Sequence, residues 1–376
     1  MFRNIFLLVI LLPLSFLTLN GQSNVFDLNN MVSARASLNF TDSAMYNLGG
    51  RYIPEITLTG DLKNDRIIDM KLSASGYASI ELNGQGSDGH TYRLKPYRMW
   101  IRYSTPRLEI RAGLQKISFG SASVLRPLMW FDKMDFRDPL QLTDGVYGLR
   151  GRYYFQNNVN IWLWALYGNE GTKGWEAAPT QKHRPEYGGR FQVPLFTGEV
   201  GLSYHYRKAD FSKFYIAMPE VTEPFFRQDL LGLDAKWDVG PGVWFEYTWK
   251  RNDKMNTLFA RDEHLINLGM DYTFGLGNGL NITTEYFRYA GSVSNNYSIL
   301  ALSYPFGLMN RLVAAVYYNW DTGDLYRFVN FQRDYDFVSL NIIAFWNPEG
   351  TSLYGAEEER NLMAGTGLQI MATVNF

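Results

Sequence analysis

Arginines recur at even spacing in three nearby stretches: Arg98 and Arg102 flank Trp100, Arg107 and Arg111 flank Glu109, and Arg150 is followed by Arg152. A guanidinium stays charged at any physiological pH and grips a carboxylate or phosphate in a planar fork. On a β-strand, residues two apart share a face. The spacing therefore predicts a basic wall of Arg98, Arg102, Arg111, Arg150 and Arg152 on three adjacent strands, extended by Arg190 and, two residues from His205, by Arg207. Such a wall lining a pore attracts anions. Further along, Asp234, Asp238, Glu246, Asp271 and Glu285 fall on the same inward phase and predict a facing acidic wall. The same charges could equally pair with one another and fill a wet interior.

Between the second and third arginine stretches lies segment 120–144, too long for a simple turn. It carries Arg126, Asp132, Lys133, Asp135, Arg137 and Asp138 beside Trp130, Phe131 and Phe136, and is expected to fold inward as a constriction. Catalytic chemistry is poorly represented. The histidines number 4 and there are no cysteines, so a thiolate metal site and a Cys nucleophile are excluded. Ser203 and His205 share a strand face, but a nucleophile needs a base that a third group orients. Glu199 has no spacing that ties it to that role. No catalytic residue, metal site or cofactor is expected.

What must position these residues is a strand framework. The chain alternates with period two almost throughout. Val32, Ala34, Ala36, Leu38 and Phe40 oppose Ser33, Arg35, Ser37 and Asn39; Tyr52, Pro54, Ile56 and Leu58 oppose Glu55, Thr57 and Thr59. The pattern predicts about eighteen strands, sixteen being the other count it allows, near 30–40, 51–62, 66–82, 91–103, 107–119, 145–155, 158–168, 186–195, 198–208, 228–239, 242–251, 264–274, 279–289, 297–305, 311–320, 325–332, 336–346 and 366–376. Connections alternate between short turns, such as 63–65, 156–158 and 240–242, and long loops, such as 120–144, 169–185, 209–227 and 347–365. Aromatic residues make up 16% of the chain, and a mean hydropathy of -0.23 is too polar for a helical membrane protein. Together these features predict an all-β fold: a transmembrane antiparallel up-and-down barrel with short periplasmic turns, long external loops and aromatic girdles.

The N-terminus is a separate object. Arg3, the apolar run Ile5–Leu19 and the small residue Gly21 have the layout of a secretory signal peptide over 1–22, leaving 23–376 as one barrel domain. The C-terminal GLQIMATVNF, with Leu368, Ile370, Ala372, Val374 and Phe376 on one face, resembles the closing strand of outer-membrane barrels. That resemblance implies that Phe376 is an assembly signal read by the barrel-insertion machinery of a Gram-negative cell. Residues 111–155, through Gly113, Gln115, Gly120, Pro127, Asp132, Asp135, Asp138 and Pro139, resemble a segment of alginate-export-type and related large porins. There a Pro- and Asp-containing loop folds toward the lumen, ahead of an Arg-bearing strand. This sequence departs in showing Ser118-Phe119-Gly120 where those porins often have Trp before Gly.

The expected function is an outer-membrane channel for small or polymeric, anionic solutes. Its partners would be outer-membrane lipids, the insertion machinery and a small-molecule or polysaccharide solute, with a homo-oligomer allowed. A formal net charge of -1 gives no field for nucleic acid. The other reading is a non-conducting barrel that serves as a partner in a larger membrane complex.

Overall fold

The computed structural model describes residues 25–40, 45–83, 86–215, 224–253, 260–349 and 363–376. The signal peptide expected over 1–22 lies outside the described residues, as does most of segment 347–365. The first half of the sheet comprises β1 (Val25–Asn39), β2 (Met45–Leu62), β3 (Arg66–Asn83), β4 (Gly86–Ser104), β5 (Leu108–Gln115), β6 (Val146–Tyr154), β7 (Asn160–Leu166), β8 (Glu186–Leu195) and β9 (Gly198–Asp210). The second comprises β10 (Phe225–Asp238), β11 (Gly242–Asn252), β12 (Asp262–Phe274), β13 (Leu280–Ala290), β14 (Ser294–Phe306), β15 (Asn310–Asn319), β16 (Leu325–Asp334), β17 (Val338–Trp346) and β18 (Thr366–Asn375). Among the described residues these 18 strands form one antiparallel sheet in which each pairs with its neighbours in sequence. β1 pairs β18 from Met31–Asn375 to Asn39–Gly367, which closes the barrel and removes both sheet edges. Period-two patterning demands this outcome, because one oily and one wet face per strand are both satisfied by a closed ladder in lipid.

The short connections gather on one rim. The 63–65 turn places Asn64 and Asp65 at φ 64 and 55, a left-handed conformation that short polar side chains tolerate. The outward faces carry Ile101, Leu149, Leu163, Leu202, Leu268, Leu300 and Ile370, all exposed in the isolated chain and lipid-facing in a bilayer.

Two departures from strict alternation shape the interior. In β4, Ser73 pairs Arg98 while Ala74 pairs Pro96, so Tyr97 is an extra residue in a bulge. The bulge reverses the inward phase. Arg98, Trp100 and Arg102 face inward below it, as expected, and Arg93, Lys95 and Tyr97 face inward above it, with Tyr92 78% and Leu94 72% exposed outside. The second departure lies in β13 to β17, whose inward faces are apolar as well. Phe287, Ile299, Ala315, Tyr317, Phe328, Ile343 and Phe345 are buried there.

The closing strand ends with reciprocal backbone bonds between Asn30 and Phe376 of 2.7 and 3.0 Å, while the Phe376 ring is 65% exposed. Its side chain thus contributes little to packing. We expect Phe376→Asp to leave refolding in detergent intact, read as heat-modifiable migration, while surface levels in cells fall several-fold. Normal surface levels would show that the terminal ring is not an assembly signal.

Candidate functional site

Strand β5 stops at Gln115, four residues before the expected end, because the chain turns into the barrel there. Gly113 and Gly120 take φ of 116 and 100. A Cβ on Gly120 would lie 2.3 Å from Glu246 Oε1, so only glycine permits the approach. From Ile117 to Phe131 the connection is almost wholly buried inside the barrel.

What holds it is a set of polar side chains on β11, β12 and β13. Glu246 accepts the amides of Ala122 (Oε1, 2.7 Å) and Leu128 (Oε2, 3.1 Å). Glu285 accepts those of Ser123 and Val124 on Oε1 (2.7 and 3.0 Å) and of Leu125 on Oε2 (3.0 Å). Between them, Asn267 donates through Nδ2 to Leu125 O at 2.7 Å and to Glu285 Oε2 at 2.9 Å. Thr248 donates to Pro127 O at 2.9 Å and accepts from Trp130 Nε1 at 3.1 Å. Bonds to an ionised carboxylate contribute roughly 1.5–3 kcal/mol each, and those between neutral groups about 0.5–1.5 kcal/mol. They fix where the loop sits; apolar burial keeps it inside. Val124, Leu125 and Met129 pack on the apolar wall of β12 to β17. Leu128, Trp130 and Phe131 pack with Phe119, Trp162, Trp164 and Leu230 on the other side. The next loop, 167–185, adds Trp175, which stacks on Phe287 at 5.4 Å and donates to Arg126 O at 2.7 Å.

This arrangement corrects the expected acidic wall. Glu246 and Glu285 face inward but are consumed by loop amides, and Asp234 is buried against Arg190 at 2.5 Å. Asp238 is exposed at the short-turn rim, where β10 ends. Of the loop charges, Arg126 pairs with Asp132 at 3.4 Å and donates to Phe119 O at 2.8 Å. Arg137 pairs with Asp135 at 2.8 Å, and Lys133 donates to Thr172 Oγ1 at 3.1 Å. Asp138 accepts the Leu140 amide at 3.0 Å, and burial raises its pKa above the usual carboxylate range.

Two interior cavities remain among the described residues. One, over β9 to β14, is lined by Trp130, Trp175, Arg207, Lys250, Glu263 and Tyr289; the other, beside β1–β4, is lined by Arg35, Arg51, Arg93 and Lys95 on the wall and by Asp135, Asp138 and Asp144 on the loop. Arg35 and Arg51 lie 5.7 and 5.1 Å from the Tyr77 ring, and Lys95 reaches Asp144 at 2.6 Å. These four wall cations escaped sequence reasoning. Arg35 sits on a face legible as wet, but Arg93 and Lys95 point inward only because of the bulge. Arg98 pins the loop exit, donating to Thr143 O at 2.8 Å.

Toward the short-turn rim the arginines expected on β4, β5 and β6 do come together. Arg102 pairs directly opposite Arg111, and Arg111 opposite Arg150. Like charges facing each other across strands are destabilising. Arg102 is held by Asp69, Glu109 takes Arg150 at 2.5 Å and Arg111 at 3.6 Å, and the rings of Trp100 and Trp162 lie 4.3 Å from Arg111 and 3.7 Å from Arg152. Four guanidinium groups against two carboxylates leave a formal excess of two positive charges. The Nε atoms of Arg111, Arg150 and Arg152 are buried without a protein acceptor. Arg190 and Arg207 are, like Arg150, almost fully buried; Arg190 holds Asp234, and Arg207 holds Glu176 of loop 167–185 at 3.0 Å. They brace the interior and line no open space beside β1–β4.

Ser203 and His205 do not meet. Ser203 accepts from Arg190 at 3.1 Å, while His205 lies between Trp164 Nε1 and Glu186, each at 3.1 Å.

The barrel is of the membrane-spanning kind. Its apolar exterior and closed ladder are those of an outer-membrane protein. Among solved structures it is similar to OccAB4 of Acinetobacter baumannii, at 9% identity over 96% of this chain and 99% of that one, with a TM-score of 0.56. It is also similar to OccK5 (OpdH) of Pseudomonas aeruginosa, at 11% identity over 93% and 98%, TM-score 0.53. OpdQ of the same organism aligns at 10% identity over 93% and 98%, TM-score 0.52. These likenesses carry the fold, the outer-membrane porin barrel. No family model matches the chain, and no curated protein does.

Three backbone amides donate to Glu285, and Glu285→Ala leaves two of them, Val124 and Leu125, buried and unsatisfied, at about 1–3 kcal/mol each. We expect single-channel conductance to rise and current noise to increase, with heat-modifiable migration retained. Glu285→Gln, which keeps an acceptor oxygen, should fall between. Unchanged conductance and noise in the Ala variant would show that the carboxylate does not hold the loop.

Proposed function

We propose that the protein is a porin-like outer-membrane channel restricted to small solutes bearing a carboxylate or phosphate. The observation that carries this reading is the row Arg102–Arg111–Arg150 across three strands, a repulsive arrangement that stability alone disfavours. Its surplus positive charge suits a passing anion. The path runs from the long-loop side through the gap between Arg35, Arg51, Arg93 and Lys95 and the segment 133–144, past Arg98, to the arginine row. Asp135 and Asp138 oppose the wall cations only weakly, since Asp135 is neutralised by Arg137 and burial disfavours the charged form of Asp138. Segment 120–144 sets the width, with Arg126, Asp132, Lys133, Asp135, Arg137 and Asp138 keeping its fold. The likeness of residues 111–155 to alginate-export-type porins supports a substrate-restricted channel. The solute in that reading is a small anion.

A second reading has an observation of its own. The infolded loop packs two apolar clusters inside the barrel, which suits a closed barrel acting as a partner in a membrane complex. Planar-bilayer recording separates the two, since only the channel conducts.

In that recording the channel reading predicts an anion-favouring reversal potential under a salt gradient. Replacing Arg102, Arg111 and Arg150 together by Gln, which keeps donors but removes charge, should cut the anion preference by about tenfold, equivalent to about 1.4 kcal/mol. The difference should shrink in high salt, as screening acts over about 10 Å at 0.1 M. Identical ion preference in wild type and variant would make the row structural.

A further inference from the structure

On the outer surface, at the long-loop end of β9 to β12, cations face the membrane rather than the lumen. Lys208 of β9 stands opposite Arg227 of β10, and Arg251 of β11 stands between Asp229 of β10 and Asp262 of β12. Arg261, just before β12, closes the group. Arg227, Arg251 and Arg261 line one surface hollow with Tyr204, Trp249 and the carboxylates Asp229 and Asp253.

The acids there are already engaged. Asp229 takes both prongs of Arg227, at 2.7 and 3.0 Å, and the Tyr204 hydroxyl at 2.6 Å. Asp253 accepts the Arg227 amide at 3.0 Å, and Asp262 accepts Trp249 Nε1 at 2.8 Å. The guanidinium groups of Arg251 and Arg261 form no hydrogen bond or ion pair with a described residue; Arg251 lies only over the Trp249 ring, at 5.8 Å.

An arginine on the lipid face costs about 2–4 kcal/mol at the bilayer midplane and about 0–1 kcal/mol near the interface. The hollow must therefore sit at headgroup depth, and the tyrosine and tryptophan on its inner side are the residues of an interfacial girdle. At the long-loop rim the facing leaflet is the outer one. We propose that this hollow binds a phosphoryl group carried on an outer-leaflet lipid, with Arg251 and Arg261 forming the fork and Arg227, fixed by Asp229, adding its field. A phosphoryl group satisfies planar guanidinium donors two at a time. Trp249 and Tyr204 provide the flat apolar floor for the sugar or glycerol that bears it.

The test uses the full barrel, purified and stripped of lipid in detergent, with binding read by native mass spectrometry. The probes are diphosphorylated lipid A, the same lipid with both phosphates removed, and inorganic phosphate. Wild type should bind the diphosphorylated lipid at least about tenfold more tightly than the dephosphorylated one, the factor that loss of one charge-assisted contact of about 1.4 kcal/mol produces. The Arg251→Gln/Arg261→Gln double variant should lose that preference while still migrating as a heat-modifiable barrel, and Arg251→Lys/Arg261→Lys should recover part of it. Equal binding by wild type and the Gln variant would overturn the proposal. So would occupancy by inorganic phosphate as tight as that by the lipid, because the hollow would then be a site for free anions.

Discussion

The interior of this barrel depends on carboxylates that point inward where no water can serve them. Glu246 and Glu285 would be costly as lone charges among apolar neighbours. They are satisfied only because the backbone of residues 122–128 comes in to donate to them. That backbone, in turn, would be costly to bury without acceptors. Each half needs the other, and the apolar inner faces of β13 to β17 need both, since without the loop they would stand in water. One geometric requirement, a glycine at position 120 against Glu246, lets the chain enter.

Filling one side of the lumen decides what the other side can do. With the loop packed on the wall of β13 to β17, one cavity remains over β9 to β14 and another along β1 to β4, ahead of the arginines of β4 to β6. There the wall is basic: Arg35, Arg51, Arg93 and Lys95 above, the row of Arg102, Arg111 and Arg150 below. A field confined to a narrow, partly apolar passage is stronger than the same charges would produce in an open pore. In the proposed channel the infolded loop would do more than narrow the lumen; it would place the solute beside the cations.

Much of this was legible in the sequence, and the misses have physical causes. Strand number and closure followed from period two and from turn residues, because lipid on one side enforces alternation; the limits were less legible, since β1, β2 and β4 begin about five residues earlier than the alternation suggests and β5 ends four residues sooner. The arginine row on β4, β5 and β6 followed from the same phase. Arg93 and Lys95 were missed because one bulged residue, Tyr97, reverses the phase of β4, and a bulge has no sequence signature of its own here. The fate of Glu246 and Glu285 was missed because phase shows which face a side chain takes, not what it meets. One signal was present and unused. Stretches such as Leu312–Tyr318 and Ile342–Trp346 are apolar on both faces, the mark of strands buried on both sides. They foretold that something must cover the inner wall of β13 to β17. Loop 120–144, with its aromatics, was the segment long enough to do so.

In the proposed channel, solute passes along the β1–β6 wall and not along the wall that the loop covers. The chain has no cysteines, so a single introduced thiol reports its own position. In planar bilayers, a small charged methanethiosulfonate reagent should reduce the single-channel current of Arg51→Cys substantially and leave Ala315→Cys unaffected, because Ala315 is 2% exposed beneath the loop. Current block at Ala315→Cys with none at Arg51→Cys would contradict the account, since the open path would then lie on the wall assigned to the loop.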